Sequence, residues 1–487
     1  MSEVTVKNKI ISSLAWKLLE KLFVQGVQFV IQIILARLLF PEDYGVIAII
    51  NIFIAIANSL IQSGFSTSLI QKKDTDEVDF SSIFYLNLIT SAIIYTIFYF
   101  VAPIIANAYN NEIITPVLRI LSLTLFTGAI NSIQSAIISK KLEFKKSFIS
   151  NIAAMILSGI VGITLANSGF GVWALVAQQL TSSVATTIVL WFVVKWRPKL
   201  VFSFKRIKTL FSFGWKLLVS SLIETIYQDI YGLIIGKKYD NTTLGYYSKG
   251  QQFPYYVINT VNSSITSVML PALSLKQNNK EDLKKMLRRS IVTSCFIIFP
   301  MMVGLASVAK PLISIILTDK WLECVPFLQI MCFAYAFNPF HIANLQAINA
   351  VGRSDIYLKL EIIKKIIGIT SIIITIPFGV YAMVATKLIT SIISSFLNAS
   401  PNKKLLNYSY FEQIKDIFPS IALSLTMGLI VYLISLLNFN IYIKLITQIL
   451  VGIIIYIGMA KLLKLECYIY LENTVKDMFN KKRRSTK

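Results

Sequence analysis

The chain has 487 residues, of which 55% are hydrophobic and only 15% charged. Soluble domains do not string apolar runs of about 20 residues along their length, so this composition implies a polytopic membrane protein. A net charge of +23 would suggest nucleic acid in a soluble protein, but here the cations fill short breaks between apolar runs, where they set topology instead.

The apolar spans predict fourteen helices, at 13–39, 46–67, 81–102, 115–138, 148–167, 172–194, 214–236, 245–270, 290–309, 326–349, 357–376, 379–397, 416–437 and 443–463. The first is not clean. It carries Lys17, Glu20, Lys21, Gln25, Gln28 and Gln32. At ~100° per residue, Lys17, Lys21, Gln25, Gln28 and Gln32 share an arc of about 80°. Polar side chains in hydrocarbon normally face a bundle interior or a wet cavity, so this helix is expected to have a lipid face and a cavity face. It is too long for a cleavable signal and lacks a small-x-small site, so none is expected.

Past the second span, Asp74, Asp76, Glu77 and Asp79 have a metal-like spacing. Lys72 and Lys73 stand beside them, and the segment reads as a solvated loop. Alternate breaks further along are rich in cations. Lys140, Lys141, Lys145 and Lys146 fill one, and Lys195, Arg197, Lys199, Lys205, Arg206 and Lys208 the next in the series. Lys276, Lys280, Lys284, Lys285, Arg288 and Arg289 follow, and the tail ends Lys481, Lys482, Arg483, Arg484. The positive-inside rule then puts both termini in the cytoplasm, as an even number of spans requires. No break exceeds about 25 residues, the length of roughly one helix and far short of a domain, which excludes a soluble catalytic domain. The longest, Lys195 to Phe213, reads as a hinge whose Phe202–Phe213 part could lie as a short interfacial helix. Cys295, Cys324, Cys332 and Cys467 lack disulfide or metal spacing. His341 lies in an apolar run and reads as packed or cavity-lining.

An internal repeat is the most specific signal. Trp16-Lys17-Leu18-Leu19 recurs as Trp215-Lys216-Leu217-Leu218, and Gly45 as Gly245. Phe170-Gly171-Val172-Trp173-Ala174 recurs as Phe378-Gly379-Val380-Tyr381-Ala382. The spacings of 199, 200 and 208 residues imply a six-helix duplication. Six helices return the chain to its starting face, so the repeats are parallel. The expected fold is all-α: an N-lobe at 1–198, a cytoplasmic linker at 199–213, a C-lobe at 214–404, and 405–487 for helices 13–14 with a basic tail. The two lobes would flank a central cavity. The stripe recurs too, as Lys216, Ser220, Glu224, Tyr227 and Tyr231. On helices 2 and 8, Asn51, Ser59 and Gln62 match Gln251, Asn259 and Asn262. Such groups either line a shared cavity or hydrogen-bond helices together.

Leu35-Ala36-Arg37-Leu38-Leu39-Phe40-Pro41-Glu42-Asp43-Tyr44-Gly45 and Gln62-Ser63-Gly64-Phe65 carry a family resemblance. Phe170-Gly171-Val172-Trp173-Ala174, Gly245-Tyr246-Tyr247-Ser248 and Gly352-Arg353-Ser354-Asp355 add to it. Over essentially its whole length the chain resembles the polysaccharide-transport, Wzx-type flippases of the multidrug/oligosaccharidyl-lipid/polysaccharide superfamily. The resemblance implies a transporter, not an enzyme, in the bacterial cytoplasmic membrane. It would move undecaprenyl-pyrophosphate-linked repeat units to the outer leaflet for O-antigen, capsule or exopolysaccharide. Polysaccharide polymerase and chain-length proteins are the implied partners, with no nucleic acid. No cofactor is expected, and coupling to a proton or sodium gradient is left open.

A pyrophosphate headgroup needs cations in a protected place. Lys387 lies about eight residues into helix 12, or ~12 Å along it, near the midplane of a ~30 Å core. A lysine there marks a pathway, is buried neutral, or pairs with an acid such as Glu224. Lys17, Lys21, Lys364 and Lys365 would meet the headgroup on entry, although Glu361 and Lys365 could satisfy each other at i and i+4. Gln25, Gln28, Asn51, Tyr227, Gln251, Tyr255 and Asn259 are the candidate sugar contacts. Tyr246 and Tyr247 fit an interfacial belt. Glu20 and Glu224 are the candidates for coupling, Arg37 reads as an interfacial anchor, and Lys249 and Arg119 as exit guides. A multidrug exporter of the same superfamily is disfavoured by these lysines, which suit an anion. A glycan polymerase or glycosyltransferase would need a large polar loop.

Overall fold

The computed structural model of the chain describes the backbone of residues 3–62, 68–70, 72, 75–274 and 279–485. These residues form helices and no strands. They divide into two compact units, residues 1–245 and 246–487.

The first unit holds α1 (Glu3–Leu38), α2 (Pro41–Gln62), α3 (Glu77–Ala108), α4 (Ile114–Leu121), α5 (Thr124–Lys141), α6 (Phe144–Asn167), α7 (Val172–Val193) and α8 (Phe204–Lys238), and ends in the first turn of α9 (Asn241–Ser274). The second holds the rest of α9, then α10 (Lys280–Ser307), α11 (Ala309–Leu317), a 3₁₀ segment at Asp319–Cys324, α12 (Val325–Ala336), α13 (Asn338–Ala350), α14 (Ser354–Thr375), α15 (Val380–Leu406), α16 (Tyr410–Ser435), α17 (Ile441–Leu462) and α18 (Glu466–Ser485).

Ten helices or helix pairs are long and apolar enough to cross a membrane among the described residues, and the chain is a multi-pass membrane protein. α1, α9, α14 and the α12–α13 pair fall outside that set. The first three carry charged or amide side chains at intervals along their length, and the fourth is broken. Two of the fourteen predicted spans are in fact split. The span at 115–138 breaks between α4 and α5, where Ser122 and Thr124 turn their hydroxyls back onto Leu118 and Leu121 carbonyls and compete with the helix ladder. The span at 326–349 breaks at Phe337, ahead of Pro339, which cannot donate a backbone N–H.

Helix order repeats across the halves. α1 to α7 correspond in sequence to α8, α9, α10, α12, α13, α14 and α15, with α11 and the 3₁₀ segment as an insertion. The recurring Phe-Gly-Val turn has a backbone reason. Gly171 and Gly379 precede α7 and α15 with φ of 54° and 97°, values that side chains with a Cβ rarely adopt. The Gly45–Gly245 pair has a steric one. Inside the first unit, a Cβ on Gly45 would lie 1.7 Å from the Asn241 carbonyl oxygen, and one on Gly245 would lie 1.9 Å from that of Pro41. The first turns of α2 and α9 thus cross backbone to backbone, each glycine facing the other helix's start.

The segment 202–213 is not a separate interfacial helix. α8 begins at Phe204 and runs unbroken to Lys238. The stretch before it is held to α3, with the Lys199 and Ser203 amides donating to the hydroxyls of Ser81 and Ser82. The acidic loop is a clamp. Asp76 forms a capping box with Asp79, buried Asp79 accepts from Lys72 at 2.5 Å, Arg206 bridges to Asp76, and Glu77 pairs with Lys199. The Asp79 backbone N–H, and behind it Arg206, hold the Asp76 carboxyl below its ordinary range. All four cysteines are buried free thiols. His341 is packed in the second unit, its ring nitrogens against Ser391 and Asn398.

Candidate functional site

In the first unit α1 lies against α6. Lys17 and Gln28 are exposed, and Gln25 and Gln32 half-buried. Leu19, Phe23 and Val30 are more than half exposed and, at ~100° per residue, lie on the far side of the helix. The predicted division into a polar and an apolar face is therefore present. The Lys17 ammonium lies 5.0 Å from the Phe144 ring centroid. The Lys21 side chain is outside the described residues.

Glu20 accepts from the Ser147 hydroxyl at 2.7 Å and the Asn151 amide at 2.6 Å, tying α1 to α6. Asn51 is exposed on α2. Ser59, expected on the same stripe, is buried and shares a 2.9 Å hydrogen bond with Ser221 of α8. At that position the polar stripe joins helices and does not face a cavity. On α8, Glu224 is exposed and accepts from Gln228 at 2.8 Å, and Tyr227 is half-buried one turn on.

In the second unit α9, α12 and α15 converge. Lys387 of α15 is half-buried, donates to the Tyr247 hydroxyl at 2.7 Å and sits 5.3 Å from that ring's centroid. Tyr247 packs edge-on against Phe327, which lies against Tyr381 at 4.9 Å. Tyr247 is thus a buried partner of the central lysine and not a belt residue; only its neighbour Tyr246 is partly open, against Trp321. One turn along α9, Gln251 donates to the Tyr335 hydroxyl at 2.7 Å. Tyr255 beyond it is exposed and Asn259 half-buried.

Tyr335 escaped the sequence reading because no periodicity shows which face of a broken helix turns inward. Lys249 is not an exit guide: it is buried, donates to Gln252 at 3.1 Å and faces the Trp321 ring. Arg119 lies on the Tyr99 ring and donates to its carbonyl. Glu361 pairs with Lys364 at 2.5 Å, one position short of the i,i+4 pairing expected with half-buried Lys365. Arg37 is exposed.

The second unit therefore offers a cation braced by a tyrosine hydroxyl, an aromatic wall and adjacent amides. That set can hold an anion beside a sugar by charge, stacking and hydrogen bonds. Among the described residues no group of three or more His, Cys, Asp or Glu could hold a metal ion.

Residues 34–326 match a family described as polysaccharide biosynthesis protein. The lipopolysaccharide biosynthesis protein WzxC of Escherichia coli (strain K12) is 23% identical, with 88% of this chain and 89% of that one covered. The teichuronic acid biosynthesis protein TuaB of Bacillus subtilis (strain 168) is 23% identical, covering 89% and 90%. Among solved structures, the lipid II flippase MurJ in an inward closed conformation superposes with a TM-score of 0.76 and 17% identity, over 92% of this chain and 98% of that chain. The last likeness is one of fold.

Proposed function

Because the chain belongs to the polysaccharide biosynthesis protein family, we propose that it is a flippase for lipid-linked oligosaccharide repeat units, with an undecaprenyl-pyrophosphate carrier as the substrate lipid. The single observation that supports this most is Lys387, a half-buried cation well inside a membrane-spanning helix and braced by Tyr247. An intramembrane cation is a pathway residue by default, and one near the midplane suits a pyrophosphate crossing far better than a cationic drug. The aromatic and amide groups around it suit sugars. The relatives named for lipopolysaccharide and teichuronic acid point the same way, and they differ in glycan.

In this reading the headgroup crosses while the lipid tail stays in the bilayer, and the two six-helix repeats, 1–198 and 214–404, alternate access. The protein lies in the cytoplasmic membrane with both termini inside. Lys17, Lys21 and Lys365 meet the headgroup on entry. Glu224, exposed on α8, is the coupling acid for a proton or sodium gradient. Glu20 suits that role less, since two donors from α6 already hold it. The test is a leaflet assay of the labelled lipid-linked repeat unit in cells depleted of this protein. Retention in the inner leaflet is expected, and normal arrival outside would overturn the reading.

A further inference from the structure

One cleft in the second unit belongs to none of these roles. It opens between the N-terminal half of α10 and the C-terminal helix α18, holds about 330 Å³, and is lined by Lys285, Arg288, Arg289, Val292, Thr293 and residues of α18. Its chemistry is sharply divided. On α10, Lys280 to Arg289 carries five of the chain's cations, and from Ser290 to Ser307 there is no charge at all. The cleft sits on that boundary.

α18 closes the apolar side. Cys467 is buried in a cluster with Phe296, Leu423 and Met427, with Val292 and Leu471 packed against it. On the polar side, Arg288 is committed. Asp416 takes both its Nε and Nη2, at 2.9 and 3.1 Å, and Glu466 takes Nη2 at 3.1 Å. Lys285 and Arg289 are exposed, and neither has a carboxylate partner among the described residues. The Arg289 guanidinium lies 3.6 Å from the Tyr470 ring centroid, which holds its plane while leaving its N–H groups for an acceptor.

We propose that this cleft binds the phosphate headgroup of an anionic membrane phospholipid, with Lys285 and Arg289 on the phosphate and the first methylenes of the acyl chain against Val292. Two cations above an apolar floor, one of them stacked on a tyrosine ring, at the membrane–water boundary, form the arrangement that anionic headgroups select. A soluble phosphate would use the cations and waste the floor. The bound lipid would fasten α18 to α10. None of this depends on what the protein transports, so it can fail while the flippase reading stands, and the reverse.

The experiment uses the purified full chain in nanodiscs of phosphatidylcholine, alone or with phosphatidylglycerol. Thermal midpoints are recorded, and lipid retained in detergent is counted by native mass spectrometry. Wild type is expected to gain stability from phosphatidylglycerol and to retain it. The K285Q/R289Q double variant should lose both effects, with apparent affinity down about fivefold per cation removed, from ~1 kcal/mol each. K403Q/K404Q, which removes two exposed cations elsewhere, should behave as wild type. R289K, keeping the charge without the planar stack, should recover part of the retention even if the double variant is poorly stable. Equal retention in wild type and K285Q/R289Q, or equal loss in both double variants, overturns the proposal. Stabilisation by inorganic phosphate in phosphatidylcholine alone, matching that of phosphatidylglycerol, overturns the lipid as occupant.

Discussion

A lysine inside an apolar helix must find an anion, a polar brace or water. Lys387 has the brace: the 2.7 Å bond from Nζ to the Tyr247 hydroxyl holds the side-chain end in one place, where an arriving phosphate would meet it. Hydrogen bonds to charged groups are worth about 1.5–3 kcal/mol. Tyr247→Phe should therefore lower transport about tenfold by letting the cation wander, and Lys387→Gln should lower it further. Both are read by the leaflet assay, with expression and melting as controls. Transport by Lys387→Gln at the wild-type rate would remove the lysine from the pathway. Lys387 was legible in the sequence because it is the lone charge in its span. Its partner was not, because Tyr247 has the composition of a belt residue and only the approach of α15 to α9 shows otherwise. Ser59 failed for the mirror-image reason: periodicity gives a residue's direction around its helix but not whether a neighbouring helix or water stands there.

At the scale of elements, the two repeat-related glycines make a sharp case. A methyl group at Gly45 or Gly245 would meet backbone atoms under 2 Å away, and backbone cannot rotate aside as a side chain can. Overpacking of this kind costs typically ~1–3 kcal/mol. Gly45→Ala and Gly245→Ala should each lower the thermal midpoint in detergent, whereas Gly26→Ala, with nothing within 4 Å of its added Cβ, should be neutral or mildly stabilising through helix propensity. Three equal midpoints would show that the crossing is slack. The sequence announced both glycines as a repeat but could not say that they face one another's helices.

The clamp before α3 gives a prediction in pH. Asp76 is held below its ordinary value of 3.8, so its contribution is complete above that value and disappears as pH falls through the lower folded-state value. Asp76→Asn should therefore be less stable than wild type at neutral pH, and the gap should close below about pH 4. A gap that persists at acid pH would point to lost cap geometry instead of lost charge.

For the whole molecule, the decisive quantity is which helix ends share a side of the membrane. Membrane-spanning character was legible throughout, because hydropathy reports solvent directly. The count of spans was less so, since a chain with a polar interior hides some of its crossings. α9 and α14 are long helices made less apolar by polar residues along them, Lys249, Gln251 and Asn259 in one and Glu361, Lys364 and Lys365 in the other. The insertion of α11 and the 3₁₀ segment, with Trp321 fully buried, gave no periodic signal because it is too short to have a period. Loop charge gives an expectation of orientation that does not depend on the count. Lys141 and Lys404 end helices at cation-rich breaks, while Ser168 lies at a break without cations. All three are exposed, and the native cysteines are buried, so single cysteines can be introduced against a quiet background. Lys141→Cys and Lys404→Cys should react with a membrane-impermeant maleimide only after permeabilisation, and Ser168→Cys should react in intact cells. Labelling of Lys404→Cys from outside would place an odd number of crossings between it and Lys141, which the parallel repeat does not allow; labelling of all three from one side would undo the charge-derived topology altogether.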